Sequence, residues 1–300
     1  MNLLRLTNSI GDKYMSKNIN SNAKVILPQT KAQGFRDPCA ILSGGIYHLY
    51  YSLVQNEDDG QFFYLAESIS HDLKNWSAPR ILSPKGSEYN YSSPGNVFFQ
   101  NNLYHMCIQT YPRRDGETYG NENSRIFIIH SKDLIHWTTP ELLKVKGDIP
   151  VGEMGRMIDP YILQSGDEFL CFYKQNGVSF SKSKDLITWE YLGNCSGCGE
   201  NVCVLKEGSS YSILHSPKNG LGLLKTDNFS DFEDFGTTTL NQEAYPWAKD
   251  RLTAGFILQR NPKHDKDILF FHGDDESNYT FGASIALIEN WNFKKAFSIM

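Results

Sequence analysis

The chain has 300 residues, of which 40% are hydrophobic and 13% aromatic, enough for a large core, and its net charge is −5. That charge, without a run of Lys and Arg, argues against nucleic acid as a partner, since phosphate binding needs clustered cations. No stretch approaches the roughly 20 apolar residues of a membrane-spanning helix, and residues 1–32 lack the apolar centre of a secretory signal, so the expectation is a cytoplasmic protein with no membrane partner.

In chain order, residues 1–32 read as a polar, partly irregular N-terminal extension, and residues 33–300 as one domain built from repeats. The first repeat opens at Arg36-Asp37-Pro38, runs through Cys39 to Leu42, turns at Gly44-Gly45 and returns as Ile46 to Tyr51. This is a β-hairpin by its turn chemistry and its β-branched and aromatic content. A second copy of the Asp-Pro pair, Asp159-Pro160, heads the hairpin that ends at Lys174. Ser93-Pro94 and Glu200-Asn201 head two further hairpins, and a fifth runs from Ala254 to Gln259, through a polar loop at 261–266, and back through Ile268 to Gly273.

A second marker follows the hairpins. Ser70-x-Asp72-Leu73-x-x-Trp76 recurs as Ser131 to Trp137 and as Ser183 to Trp189, with worn versions at Asp227 to Phe232 and Ile285 to Trp291. Five heads and five tails predict five repeats at a spacing where fixed periods mean propellers or solenoids. Short strands, turn signals throughout and no amphipathic helix predict an all-β fold, a five-bladed β-propeller of four-stranded antiparallel blades. The heads Asp37, Ser93, Asp159 and Glu200, with the head of the fifth blade, then point at one axial pocket. The tails are expected to be structural. The six cysteines lack the paired spacing of a zinc site, and reduced structural thiols are expected.

These motifs, in this order, resemble the five-bladed propeller glycosidases of glycoside hydrolase family 43, with families 32 and 130 as relatives. The resemblance implies an oligosaccharide substrate and an inverting glycosidase that removes terminal arabinofuranosyl or xylosyl residues. Asp37 would be the general base, Glu200 the general acid, and Asp159 a third carboxylate that orients the sugar and keeps Glu200 protonated. Glu153 competes with Glu200 for the role of acid. The family 32 relatives imply instead a fructan-cleaving, retaining enzyme with the blade-one Asp as nucleophile, and family 130 a phosphorylase. A propeller that only binds glycans or proteins stands as the alternative outside catalysis.

Around the carboxylates, Phe35, Tyr91 and Trp247 are candidate sugar-stacking walls, and Arg156 and Arg251 candidate donors to hydroxyls. Arg36 is expected to be turned away from the axis by strand alternation. The resemblance places His272 near the axis, beside a water-filled site or a structural calcium ion, and implies no other cofactor. Loops 56–61 and 111–124 are expected to shape the pocket mouth.

Overall fold

The computed structural model describes residues 17–19, 22–86, 88–114, 117–260, 266–277 and 283–297. Two short strands, β1 (Lys17–Ile19) and β2 (Lys24–Leu27), precede the blades. Blade one holds β3 (Gln33–Ser43), β4 (Ile46–Glu57), β5 (Gly60–Ser70) and β6 (Arg80–Ile81), and blade two β7 (Val97–Gln100), β8 (Leu103–Gln109), β9 (Ile126–Ser131) and β10 (Glu141–Leu142). Blade three holds β11 (Ile158–Ser165), β12 (Glu168–Lys174), β13 (Val178–Ser183) and β14 (Trp189–Cys195). Blade four holds β15 (Glu200–Glu207), β16 (Ser210–Ser216), β17 (Leu221–Thr226) and β18 (Glu233–Leu240), with β1 added in parallel to β18. Blade five combines β19 (Arg251–Leu258), β20 (Asp267–Asp274) and β21 (Ala283–Trp291) with β2.

The fold is the expected five-bladed propeller of antiparallel four-stranded sheets. Its start differs from the expected boundary at residue 33. The segment Lys24–Leu27 pairs with β21 as the outer strand of blade five and buries Leu27. A β-branched, apolar segment near the N-terminus covers the edge that β21 would otherwise expose. The expected positions 1–16, 20–21 and 261–265 lie outside the described residues.

Packing between blades is aromatic. Phe172 and Phe180 of blade three meet Phe229 of blade four, which in turn packs on Tyr211 with the rings tilted and their centres 4.6 Å apart. Fully buried rings such as Phe172, Phe270 and Phe271 each stabilise the fold by roughly 2–3 kcal/mol over exposure. The Ser-x-Asp-Leu tails close the third strands. Ser70 Oγ accepts from the N–H groups of Asp72 and Leu73, while Asp72 Oδ1 accepts from Lys74 and Asn75. Leu73, Leu134 and Leu186 all take left-handed φ of 63–65°, and Phe229 repeats the turn in blade four at 58°. The tails are structural, as expected.

One local device repeats at the axis. In the inner strands the pairing register jumps from Arg36 to Cys39, Ile158 to Tyr161, Glu200 to Cys203 and Thr253 to Phe256. The first bulged residue is left-handed each time: Asp37 (52°), Asp159 (51°), Asn201 (49°) and Ala254 (52°), with Ser93 (41°) in the same place in blade two. Such backbone costs about 1–3 kcal/mol per residue. The bulge frees the head's N–H from the ladder, and the preceding blade supplies its acceptor. Ser93 N–H donates to Ser52 Oγ (2.7 Å), Asp159 N–H to Gln109 Oε1 (2.6 Å), Ala254 N–H to Ser216 Oγ (2.7 Å) and Asp37 N–H to His272 Nδ1 (3.1 Å). Blade five thus caps blade one and the ring closes.

The four capping side chains occupy one register position, opposite the residue that precedes each blade's own head. In blade three that position holds Lys174, opposite Ile158. The head of blade four is therefore Asn201, and Glu200 is the residue before it. Glu200 aligns with Arg36, Ser92, Ile158 and Thr253 rather than with the two aspartates, which corrects the expected series of heads.

A further cap steadies the approach to Glu200: Gly199 N–H donates to Nδ1 of His215, a buried ring whose pKa burial lowers to about 4. Because the folded value lies below the unfolded one, the stabilising contribution is complete above pH of about 6.5 and is lost as pH falls toward 4. Thermal unfolding of wild type should weaken over that window by up to about 3 kcal/mol from this group, and His215→Gln should flatten the slope. Equal slopes would show that His215 ionises freely in the fold.

Candidate active site

Above the ring of heads lies a cleft of about 970 Å³. Below it the heads enclose only about 20 Å³, so the cleft is blind at its axial end. Asp37, Asp159 and Glu200 all line it, each from the first half of an inner strand in blades one, three and four. The bulges aim them. A left-handed residue in the bulge interrupts the alternation of the inner strand, and Asp37 and Asp159 at these positions line the cleft.

Asp37 is held by three donors. Ser52 Oγ and Ser93 Oγ both donate to Oδ2, at 2.8 and 2.9 Å, and Asn201 Nδ2 donates to Oδ1 at 3.4 Å. Donors from blades one, two and four converge on this one carboxylate and fix its orientation. Asp159 is its opposite. Burial, then the charges of Glu200 and Asp37, push its pKa well above the ordinary carboxylate range, with Ser93 and Arg156 working the other way. Of the three carboxyls, Asp159 is thus the one whose neutral form its burial favours. Glu200 is the more open group, its side chain 36% exposed, with Arg251 at 4.0 Å.

Asp274, which no repeated motif marks, anchors the cationic side. Arg36 Nη1 donates to Oδ1 at 3.1 Å, and Arg251 donates to Oδ2 from Nε and Nη2, both at 2.9 Å. Burial acts against the charge of Arg36, but Asp274, Asp37 and Glu200 outweigh it and raise its pKa. Arg36 lines the cleft. The expectation that it turns away fails because the bulge at Asp37 resets the alternation.

His272 lies beneath Asp37, only 1% exposed. Burial, with Arg36 and Arg251 nearby, drives its pKa well below 6.5, so the ring is neutral. Nδ1 accepts from Asp37 N–H, which puts the proton on Nε2, facing Asp274 Oδ1 at 3.6 Å. A ring already used as an acceptor and flanked by two guanidinium groups does not suit the calcium ion expected there, since calcium takes six or more oxygen ligands. Among the described residues, no group of three or more His, Cys, Asp and Glu is placed to hold a metal.

The expected aromatic walls are elsewhere. Phe35 is buried against Tyr51, Tyr91 stacks on Tyr89 at 5.5 Å, and Trp247 packs on Phe271; none lines the cleft. The walls are instead Phe63, Tyr111 and Tyr119, the last 68% exposed. Tyr111 and Tyr119 come from the loop at 111–124, as expected for the mouth, whereas loop 56–61 contributes no lining residue. Glu153 is exposed and outside the cleft. Arg156 and Arg251 line it, as do Lys174 and Lys218, which the sequence reading passed over.

Asp159→Asn tests the charge assignment. A carboxyl whose folded pKa is raised favours folding at acid pH, and that contribution disappears as pH rises from about 4 through the raised value. Wild type should therefore lose thermal stability relative to Asp159→Asn between pH 5 and pH 8 (about the neutral range). Parallel curves would place the retained proton elsewhere.

The architecture has close counterparts. The catalytic domain of a GH62 α-L-arabinofuranosidase from Coprinopsis cinerea superposes with a TM-score of 0.68 at 11% identity, covering 93% of this chain and 99% of that one. A family 117 glycoside hydrolase from the marine bacterium Zobellia galactanivorans gives 0.64 at 15% identity, covering 90% of each chain. An α-L-arabinofuranosidase from Lactobacillus brevis gives 0.62 at 12% identity, covering 89% and 94%. At such identities the likeness is one of fold. No curated protein matches the sequence significantly. The model of the Glycosyl hydrolases family 32 N-terminal domain matches residues 37–215, from the first head to the cap of Gly199. Of the families that the sequence resembles, it is thus family 32 whose model covers more than half of the chain, and the protein, a glycoside hydrolase, belongs to the family of the Glycosyl hydrolases family 32 N-terminal domain.

Proposed function

We propose that the protein hydrolyses terminal furanosyl residues of oligosaccharides in the cytoplasm, with Asp37 and Glu200 as the reacting carboxylates. The observation that carries this reading is the fixed carboxylate of Asp37 on the floor of a blind cleft. A cleft closed at the axis admits one chain end and holds the terminal sugar over Asp37, which favours exo action. The six free, buried cysteines suit a reducing compartment. The furanosyl preference rests on two supports: the fructan-cleaving activity implied by family 32, and the arabinofuranosidases of Coprinopsis cinerea and Lactobacillus brevis among the structural counterparts.

In the family 32 version, Asp37 attacks the anomeric carbon as the glycosidic C–O bond breaks, and Glu200 gives its proton to the leaving oxygen. Water then attacks the glycosyl ester, losing a proton to Glu200, and configuration is retained. Protonated Asp159 has a hydrogen to donate and no charge to repel Asp37, so it can hold a ring hydroxyl beside the anomeric centre. Arg36 and Arg251, charged and braced by Asp274, stabilise the anionic floor. The second version keeps the same residues but makes Asp37 the base for a water molecule, giving inversion, as the arabinofuranosyl and xylosyl reading of the sequence expects.

A panel of aryl furanosides and xylosides tests this reading. Wild type should cleave at least one furanoside, and Asp37→Asn and Glu200→Gln should each lower kcat by at least about 10³. Retained configuration in the first-formed sugar selects the family 32 version, and inverted configuration the other. Full activity in Asp37→Asn would remove the carboxylate assignment altogether.

A further inference from the structure

Five cationic side chains line the cleft, and they are not equivalent. Arg36 and Arg251 share Asp274 as an ion-pair partner, and Arg251 also approaches Glu200 at 4.0 Å. Arg156 gives only its Nε, to Gly120 O at 3.0 Å, and lies over the ring of Tyr111, so its terminal nitrogens have no acceptor among the described residues. Lys174 and Lys218 make no hydrogen bond or ion pair with any described residue.

Lys174 is the telling one. Four blades fill its register position with an acceptor that caps the next head: Ser52, Gln109, Ser216 and His272. An ammonium group has three donors and no acceptor, so Lys174 cannot cap Asn201. The seam between blades three and four gives up this bond, and a cation faces the cleft in its place. Gln175, the next residue, donates to Arg156 O at 3.0 Å and ties the end of β12 to the segment carrying Arg156. Lys218 follows Ser216 by two residues on blade four and lines the same cleft. Lys174, Lys218 and the terminal nitrogens of Arg156 thus face a cleft that also holds Asp37, Asp159 and Glu200, without an ion pair to any of these carboxylates.

Neutral sugars are bound by hydroxyl hydrogen bonds and ring stacking, and need no such cluster. From the uncapped Lys174, with Lys218 and the open end of Arg156, we infer that the substrate carries an oxyanion, a carboxylate or a phosphate ester, on the unit lying against blades three and four. This rests on the glycosidase reading and narrows its substrate to acidic or phosphorylated oligosaccharides. Ammonium and guanidinium groups in a partly desolvated cleft bind oxyanions by charge-assisted hydrogen bonds, and the gain is sensitive to salt.

Monosaccharides, which cannot be hydrolysed, separate this inference from the activity itself. Calorimetric titration of the full chain would compare galacturonate with galactose, glucose 6-phosphate with glucose, and inorganic phosphate alone. At least one acidic sugar should bind about tenfold more tightly than its neutral counterpart, an advantage that shrinks from about 50 to about 300 mM salt. In Lys174→Met/Lys218→Met, with an unchanged circular dichroism spectrum, that ratio should fall toward one. Equal binding of acidic and neutral sugars overturns the inference, as does a preference that survives the double substitution, since neither lysine would then hold the oxyanion. Inorganic phosphate binding as tightly as glucose 6-phosphate also overturns it, since the oxyanion would then be a free co-substrate. Failure of the glycosidase reading looks different: no aryl glycoside is cleaved while the acidic preference persists.

Discussion

The site depends on a backbone conformation that L residues avoid. Each blade presents a left-handed residue at the axis, and in four of the five a neighbouring blade accepts its N–H. The same bond that closes the seam between two blades also aims a side chain at the axis. Blade packing and site geometry are therefore one problem: Asp37 points correctly only while blade five, through His272, sits correctly against blade one.

Charge in the cleft follows from that arrangement. Three carboxyl groups share a blind floor, and they cannot all be ionised cheaply. Asp37 receives donors from Ser52, Ser93 and Asn201, Glu200 keeps partial access to solvent near Arg251, and burial beside Glu200 and Asp37 pushes the pKa of Asp159 up. Three identical or similar functional groups thus acquire three different properties from burial and partners alone, which is what acid, base and binding roles in one pocket require. Asp274, outside the trio, keeps Arg36 and Arg251 in place and charged.

Much of this was legible in the sequence. The Asp-Pro pairs and the Ser-x-Asp-Leu-x-x-Trp tails are local signals repeated at propeller spacing, so blade number, the axial pocket and its three carboxylates could be read directly. What escaped depends on register. A bulge shifts alternation by one, which hid Arg36's place in the cleft and made Glu200 look like a head instead of the residue before Asn201. The caps Ser52, Gln109, Ser216 and His272 share no residue type, so only aligning the second strands on their pairing position reveals them, and with them the exception at Lys174. Phe35, Tyr91 and Trp247 failed as walls because an aromatic residue in a β-propeller is usually worth more between blades than in solvent. Tyr111 and Tyr119 sit in a loop with no periodic pattern to mark them.

The claim that a neighbouring blade's acceptor sets the reactive carboxylate can be tested at His272. Gln109 performs the same task for Asp159 with an amide oxygen, so His272→Gln keeps an acceptor for Asp37 N–H, while His272→Leu keeps volume and removes it. The measurement is kcat for whichever glycoside wild type cleaves, in both variants, at a temperature where both are folded. The account predicts that the Gln variant stays within about tenfold of wild type and the Leu variant falls by about 10² or more. Equal activities in the two would show that Asp37 is aimed without its cap, and the link between seam and site would fail.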